Sequence, residues 1–322
     1  MRLSADDDLL GRSAHVTVPA TSANLGPGYD WAGLALEMRD DLTATITNNE
    51  LVVEVTGEGA GNVPLDTSHL VARSLAAGFE RAGRTMPGLT LRCLNVIPHG
   101  RGLGSSSAAI VGGLALARDL LPDGAQVLND EELVELATKL EGHPDNVAPA
   151  ALGGFTLAWT GEQGLGKAIR LDPHPDLEVV VAIPADRLAT ERARELLPHT
   201  VTHATAAANS ARSALLVEAI ARRPELLLPA TVDQLHQDYR RFAYPQSHAL
   251  MSGLRSRGIA AMISGAGPTV IALGVRGSAT DQAHVEQAVR ALVEVQSGPR
   301  SAGHASFEVQ PLDIAREGVV SS

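Results

Sequence analysis

The chain has 322 residues, and 26 lysines and arginines against 37 aspartates and glutamates give it a net charge of −11. Such an acidic chain is not expected to bind nucleic acid, and its single cysteine, Cys93, excludes an internal disulfide and a cysteine-based metal cluster. With 44% hydrophobic and 20% charged residues it can form a substantial core, and its length predicts two domains.

No segment of the sequence predicts secretion or a membrane span. Residues 1–8 are acidic, unlike the basic and then apolar start of a signal peptide. The longest apolar stretch, residues 108–117, is too short to cross a bilayer. We therefore expect a cytoplasmic protein without a membrane partner.

The first half of the chain alternates predicted strands and helices. Strands are predicted at 15–19, 42–46, 51–56, 89–97 and 155–159, and helices at 68–82, 108–121 and 130–140. Residues 42–46 and 51–56 alternate apolar and polar side chains, which predicts an antiparallel pair with a turn at 48–49. Residues 20–30 are predicted as one glycine-rich turn, and Asp130 as a helix cap.

Glycines and prolines at 161–175 predict a domain boundary, which divides the chain into residues 1–163 and 164–322. Beyond it, strands are predicted at 177–183, 259–264, 269–273 and 306–312, and helices at 189–196, 204–221, 226–236, 246–257 and 279–295. Without the additional helices this order is β-α-β-β-α-β, the split βαβ arrangement of ferredoxin-like domains. The tail after Ala315 is expected to be frayed.

A loop with alternating glycines leads into the helix predicted at 108–121. The first turn of a helix has unpaired N–H groups, and a glycine loop lets a phosphate reach them. A plain turn with a serine cap is the alternative interpretation. A Walker A loop is excluded because Ser105 stands where that motif needs lysine, and a serine-hydrolase elbow at Ser106 would need glycine in place of Ala108.

Two further glycine clusters follow predicted strands. Residues 24–30 combine glycines with Asn24 and Asp30, which can contact a polar ligand, and residues 264–269 lie between two apolar strands. Each alone is explained by an ordinary turn. Together with the first loop they indicate several places where the backbone approaches a ligand closely.

These segments resemble the three motifs of the GHMP kinases. Residues 18–30 are similar to the N-terminal motif, 98–109 to the phosphate-binding motif and 264–269 to the third, and their order fits from about residue 15 to 312. Within that superfamily, residues 19–28 and 141–150 most resemble the homoserine kinases. The resemblance implies a two-domain α+β fold, with a mixed α/β ATP-binding domain and a ferredoxin-like domain. It also implies phosphorylation of L-homoserine to O-phospho-L-homoserine in threonine biosynthesis, with ATP and Mg²⁺, and the family analogy allows a homodimer.

The resemblance also implies roles for individual residues. The nucleotide phosphates would lie against Pro98, His99, Gly100, Arg101, Gly102, Leu103, Gly104, Ser105, Ser106, Ser107 and Ala108. Magnesium would be held by Ser106 and Glu141, with Glu135 as the rival carboxylate. Asp145 would act as a base, or Asn146 would orient the substrate hydroxyl without one. The adenine would lie near Asn62, Val63 and His69.

The substrate residues implied by the resemblance are Asn24, Asp30, Asn146, Thr190, Arg194, Arg240 and Gly265. Arginine suits a carboxylate because its fork makes two parallel hydrogen bonds, and Arg241 is the alternative to Arg240. His143 is expected to be a structural loop residue. Tyr29 and Trp31 depart from the residues usual in the family.

Three alternatives to this function remain open from the sequence. Another GHMP kinase would act on mevalonate, a sugar or shikimate. A non-catalytic regulator on the same scaffold would bind a nucleotide without turnover. A serine hydrolase would use Ser106, and is the weakest of the alternatives.

Overall fold

The computed structural model describes residues 8–161, 164–297 and 306–322. Five strands of its first sheet lie in the order β11-β1-β2-β4-β3. Strand β5 also pairs with β2, and β6 pairs with the other edge of β5. The strands are β1 (Ser13–Asn24), β2 (Gly28–Ile46), β3 (Val52–Gly57), β4 (Leu89–Asn95), β5 (Phe155–Thr160), β6 (Gly166–Leu171) and β11 (Val320–Ser321).

Five helices belong to the same part of the chain: α1 (Leu70–Arg81), α2 (Ser105–Leu120), α3 (Gly124–Val127), α4 (Asp130–Glu141) and α5 (Val147–Leu152). Helix α2 is almost wholly buried because small residues let its neighbours approach. A Cβ on Gly112 would lie 2.3 Å from the Cδ1 of Leu42. Gly112 therefore serves the packing of α2 against the first sheet.

The second sheet has four antiparallel strands in the order β10-β7-β9-β8. They are β7 (Leu177–Pro184), β8 (Ala260–Ile263), β9 (Val270–Val275) and β10 (Phe307–Leu312). The helices here are α6 (Thr190–Glu195), α7 (His203–Ala221), α8 (Leu227–Ala230), α9 (Pro245–Arg255) and α10 (Gln282–Ser297). This order confirms the predicted ferredoxin-like arrangement.

The start of the chain differs from the prediction. Strand β1 continues to Asn24 and β2 begins at Gly28, so the turn predicted over 20–30 has only three residues between strands. The predicted pairing of 42–46 with 51–56 is wrong, because β4 lies between those strands and β3 runs parallel to it. Local alternation shows which face a strand buries but carries no information about its neighbour.

The helices differ from the prediction at three points. The cap of α4 is Asn129, whose Oδ1 accepts the N–H of Glu132 at 3.1 Å, and Asp130 is the first helical residue. Helix α5 was not predicted. The helix expected at 226–236 ends at Ala230, because Asp233 accepts the N–H groups of residues 235–237 and forms a turn.

The chain returns to the first sheet at two places that were predicted otherwise. Strand β6 pairs with β5, so the boundary predicted at residue 163 falls inside a hairpin, whose residues 162–163 lie outside the described part. The tail is not frayed, because β11 pairs with β1. The two-domain division stays a prediction, and this pairing favours placing it after Leu171. No helix in the described part of the chain is long and apolar enough to cross a membrane.

A buried carboxyl group fixes the exit from β4 into the glycine loop. Asp40 is 4% exposed, and its Oδ1 accepts the N–H groups of Val96 and Ile97 at 2.6 and 2.9 Å. Burial raises the pKa of Asp40 to about 6, although the two hydrogen bonds oppose that shift.

We predict that Asp40 makes the stability of the protein depend on pH. Between about pH 4 and 6 the folded chain keeps a proton that the unfolded chain has released, so stability falls as the pH rises, by roughly 3 kcal/mol in total. Asp40→Asn keeps an acceptor oxygen and removes the ionisation. Urea unfolding should show the variant gaining stability relative to the parent between about pH 4.5 and about pH 7.5. An equal difference in stability between variant and parent at both pH values would contradict the raised pKa of Asp40.

Candidate active site

Hydrogen bonds join the three glycine-rich turns. The end of β1 is bonded to the glycine loop, because the N–H of Thr21 donates to the carbonyl of Leu103 at 3.0 Å. The loop is bonded to the turn after β8, because the hydroxyl of Ser264 donates to the carbonyl of Gly102 at 2.6 Å. A Cβ on Gly102 would lie 2.3 Å from the carbonyl oxygen of Ser264, so only glycine permits this approach.

Asn24 connects the turn after β1 with the turn after β8. Its Oδ1 accepts the N–H of Asp30 at 3.0 Å, and its Nδ2 donates to the carbonyl of Gly265 at 2.8 Å. The N–H of Gly265 in turn donates to the carbonyl of Ala23. Asn24 has a positive φ of 70°, a conformation that asparagine tolerates better than most residues.

A cavity of about 80 Å³ opens where these turns meet. It brings together most of the predicted site residues and four others. Its lining consists of Asn24, Tyr29, Asp30, Gly100, Gly102, Gly104, Ser105, Ser106, Glu141, His143, Asp145, Asn146, Leu188, Arg194, Arg240, Gly265 and Ala266.

The glycine loop presents its backbone to this cavity through residues of positive φ. Gly100, Gly102 and Gly104 have φ values of 67°, 75° and 72°, and Gly104 stands directly before α2. Not every residue of the predicted loop faces the cavity. Leu103, Ser107 and Ala108 are buried in the interior, and neither Pro98, His99 nor Arg101 lines the cavity.

Two serines at the start of α2 contact the carboxylate at the end of α4. The hydroxyls of Ser106 and Ser107 donate to the same oxygen, Oε1 of Glu141, at 2.6 and 3.0 Å. Glu135 does not line the cavity, and its carboxylate lies 3.9 Å from the Nζ of Lys167. The geometry therefore favours Glu141 over Glu135 as a metal-binding carboxylate.

The loop between α4 and α5 holds an aspartate in a buried network. Asp145 is 2% exposed, and its Oδ1 accepts from the Nδ1 of His143 at 2.7 Å and from the N–H of Asn146 at 3.0 Å. Burial lowers the pKa of His143, but the hydrogen bond and charge of Asp145 outweigh it, so the pKa is raised. His143 is thus paired with a carboxylate at the cavity, a role that the sequence analysis missed.

The side chain of Asn146 is hydrogen-bonded to Thr21, whose role was not evident from the sequence. The hydroxyl of Thr21 donates to the Oδ1 of Asn146 at 2.8 Å. This bond orients the amide so that Nδ2 remains to donate to a ligand. The sequence signal for Thr21 was its position in the motif before Asn24.

Two of the predicted substrate residues bind each other. The guanidinium of Arg194 donates to both carboxylate oxygens of Asp30, at 3.1 and 2.8 Å, and to the hydroxyl of Tyr29 at 2.9 Å. Burial lowers the pKa of Arg194, but the bonds to Asp30 raise it overall. Tyr29, noted in the sequence only as a departure, therefore orients Arg194.

Arg240 is a buried cation with an unusual set of neighbours. It is 1% exposed, and it contacts the carbonyl of Ala193, the Nδ1 of His236 and the ring of Tyr29. Among the residues that the structure describes, it forms no ion pair with a carboxylate. Arg241 packs on the exposed ring of Phe242 and does not line the cavity, so the geometry favours Arg240.

A second, more apolar cavity of about 310 Å³ adjoins the start of α2. Val63, His69 and His99 line it together with Ser105 and Ser106. Both His69 and His99 have a lowered pKa, chiefly because of burial.

The remaining predictions for this region have different outcomes. Asn62, predicted near the adenine, is exposed and does not line the apolar cavity. The side chain of Thr190 lies outside the described part.

A fourth glycine turn, residues 57–61, was not predicted from the sequence. A Cβ on Gly59 would lie 2.6 Å from the ring of His99.

Comparison with known proteins gives the family. The model of the GHMP kinases N terminal domain matches residues 69–154 and that of the GHMP kinases C terminal domain matches residues 212–297, together more than half of the chain. A homoserine kinase of Streptomyces avermitilis is 54% identical over 267 residues, which cover 83% of this chain and 87% of that protein. A homoserine kinase of Clavibacter michiganensis is 50% identical over 265 residues, covering 82% and 83%.

Solved structures agree with this assignment. A putative homoserine kinase of Listeria monocytogenes has a TM-score of 0.70 and 29% identity, and the match covers 96% of this chain and 99% of that one. A homoserine kinase of Cytophaga hutchinsonii has a TM-score of 0.79 with coverage of 100% and 99%, and its 23% identity supports the fold alone. The chain therefore belongs to the homoserine kinases, a family of GHMP kinases.

Proposed function

We propose that the protein transfers the γ-phosphoryl group of ATP to the side-chain hydroxyl of L-homoserine, giving O-phospho-L-homoserine for threonine biosynthesis. The observation that carries the choice of substrate is Arg240, a buried arginine without a carboxylate partner among the described residues, which lines the same cavity as the glycine loop. A buried unpaired charge is costly, so it indicates a ligand that supplies the opposite charge.

The substrate is a zwitterion, and the cavity has groups for both of its charges. We assign the α-carboxylate to Arg240, with Arg194 beside it, because a guanidinium can bind two oxygens at once. We assign the ammonium to Asp30, whose carboxylate has acceptor sites beyond those that Arg194 uses. Mevalonate and neutral sugars lack an ammonium group and leave Asp30 without a ligand.

The substrate hydroxyl is assigned to Asn146. With its Oδ1 bound to Thr21, the Nδ2 of Asn146 can donate to the hydroxyl oxygen and hold it in line with the phosphate. The Oδ1 of Asp145 accepts from His143 and from the N–H of Asn146, which supports a positioning role for this carboxylate. A loose phosphoryl-transfer transition state asks little of a base, which agrees with that assignment.

The donor set at the start of α2 suits Mg²⁺. One carboxylate, Glu141, and one hydroxyl, Ser106, are hard oxygen ligands, and Mg²⁺ completes its shell with phosphate oxygens and water. When bound, Mg²⁺ would neutralise charge on the phosphates. The loop glycines and the N–H groups at the start of α2 would hold those phosphates, and the apolar cavity would take the base.

A coupled assay of ADP release tests the proposal. The panel contains L-homoserine, L-serine, L-threonine, mevalonate, shikimate and galactose, each with ATP and Mg²⁺. Turnover is expected with L-homoserine well above the others. Folded protein with no turnover of L-homoserine would overturn the proposal, and preference for mevalonate, shikimate or galactose would reassign the substrate. The expectations of a homodimer, a cytoplasmic location and no nucleic-acid or membrane partner stay predictions.

We predict that Arg240→Met raises the KM for L-homoserine by at least about tenfold, because one charge-assisted pair is lost. The KM for ATP should change less than about twofold. Replacing a buried unpaired charge by an apolar side chain should not lower the Tm strongly. Arg241→Met is the matched control and should leave both constants unchanged. Equal increases in both KM values would refute the contact with the carboxylate.

The metal assignment gives a separate prediction. Glu141→Gln keeps the size of the side chain and removes its charge, so the Mg²⁺ concentration needed for half-maximal turnover should rise by about tenfold or more. Glu135→Gln, on the same helix, should leave it within about twofold. The reverse ranking of the two variants would move the metal role to Glu135.

A further inference from the structure

A short segment of the second sheet region lies directly on the glycine loop. It comprises residues 184–188, which are the last residue of β7 and the four residues after it. The N–H of Leu188 donates to the carbonyl of Gly100 at 2.9 Å. From the loop, the guanidinium of Arg101 donates to the carbonyls of Pro184 and Ala185 at 3.0 and 3.2 Å. The segment and the loop therefore keep a fixed relation to each other.

Arg187 projects from this segment over the start of the loop. A Cβ on Gly100 would lie 3.5 Å from the Cβ of Arg187 and 3.8 Å from its Cγ, so the stem of the arginine covers this glycine. The side chain is 54% exposed, so solvent and ligands can reach it. The backbone around Arg187 is thus anchored to the loop, while its side chain is accessible to solvent.

The charge of Arg187 is only weakly paired. Its Nη2 lies 3.9 Å from Oε2 of Glu58, and the Nη1 of Arg101 lies 3.8 Å from the same oxygen. A charge-assisted hydrogen bond would be about 2.7–2.9 Å long. Two arginines therefore share one carboxylate without a close bond, and positive charge remains at the loop.

The charge of Arg187 also affects His99, a residue of the apolar cavity. Burial lowers the pKa of His99, Glu58 acts against that shift, and the charges of Arg187 and Arg101 add to it. His99 lines the apolar cavity that also contains Ser105 and Ser106 at the start of α2. Arg187 therefore lies within electrostatic reach of His99 as well as in contact with Gly100.

We propose that Arg187 binds the phosphates of the nucleotide, and that Glu58 holds this arginine near the loop until the nucleotide arrives. The inference rests on the proposed function. The loop contains no lysine, and its own arginine, Arg101, is committed to two carbonyls of the segment. When a phosphate binds, Arg187 would replace its long contact with Glu58 by a short, charge-assisted hydrogen bond to the phosphate.

Titration calorimetry with ADP and with adenosine tests this inference. Arg187→Gln should weaken ADP binding roughly tenfold, the loss of one charge-assisted contact, and leave adenosine binding unchanged. In the assay, the KM for ATP should rise with little change in the KM for L-homoserine. Arg192→Gln removes an exposed arginine from helix α6, which follows the segment, and should leave all four constants unchanged.

The Glu58→Gln variant distinguishes two roles of Arg187: binding of phosphate, or a structural ion pair with Glu58 alone. Because the variant releases Arg187 from its competing carboxylate, it should tighten ADP binding, opposite in sign to Arg187→Gln. If the pair is only structural, both variants will lower the Tm and leave ADP affinity unchanged, and the inference is overturned. If the parent protein binds no ADP and phosphorylates nothing, the proposed function itself fails.

Discussion

The contact between the glycine loop and the turn after β8 is the constraint on which the site depends. Ser264 donates to the carbonyl of Gly102, and the missing side chain of Gly102 lets the two backbones approach. The two turns come from different sheets, so this contact fixes the position of the ferredoxin-like unit against α2. Arg194 and Arg240 come from that unit and line the cavity together with residues of the glycine loop.

Charge is the second organising feature. The chain carries a net charge of −11, so its overall field repels ATP, and attraction must be local. We assign this attraction to the N–H groups at the start of α2, and the arginines of the cavity wall to the carboxylate of the second substrate. Arg240 is buried with an ion pair to none of the described carboxylates, while Arg194 is held by Asp30. This difference is why we assign the carboxylate of the substrate to Arg240.

The sequence predicted the parts of the fold that depend on local pattern. The split βαβ order followed from periodicity, and glycine spacing located the loop before α2. Prediction from the sequence failed where the structure depends on contacts between residues that are far apart in the chain. No local signal tells that β4 separates β2 from β3, or that the tail returns to β1. His143 looked like an ordinary loop residue, because its partner Asp145 is seen only when the loop is folded. Tyr29 gained its role from Arg194, far away in sequence.

The central claim is that three separate turns form one site for both substrates. Hydrogen exchange of the backbone amides, measured with ADP and L-homoserine together and with each alone, tests it most directly. The account predicts that ADP protects residues 100–107, that L-homoserine protects residues 24–30, and that the pair adds protection at residues 264–267. Protection confined to a single turn, or located away from all three, would contradict it.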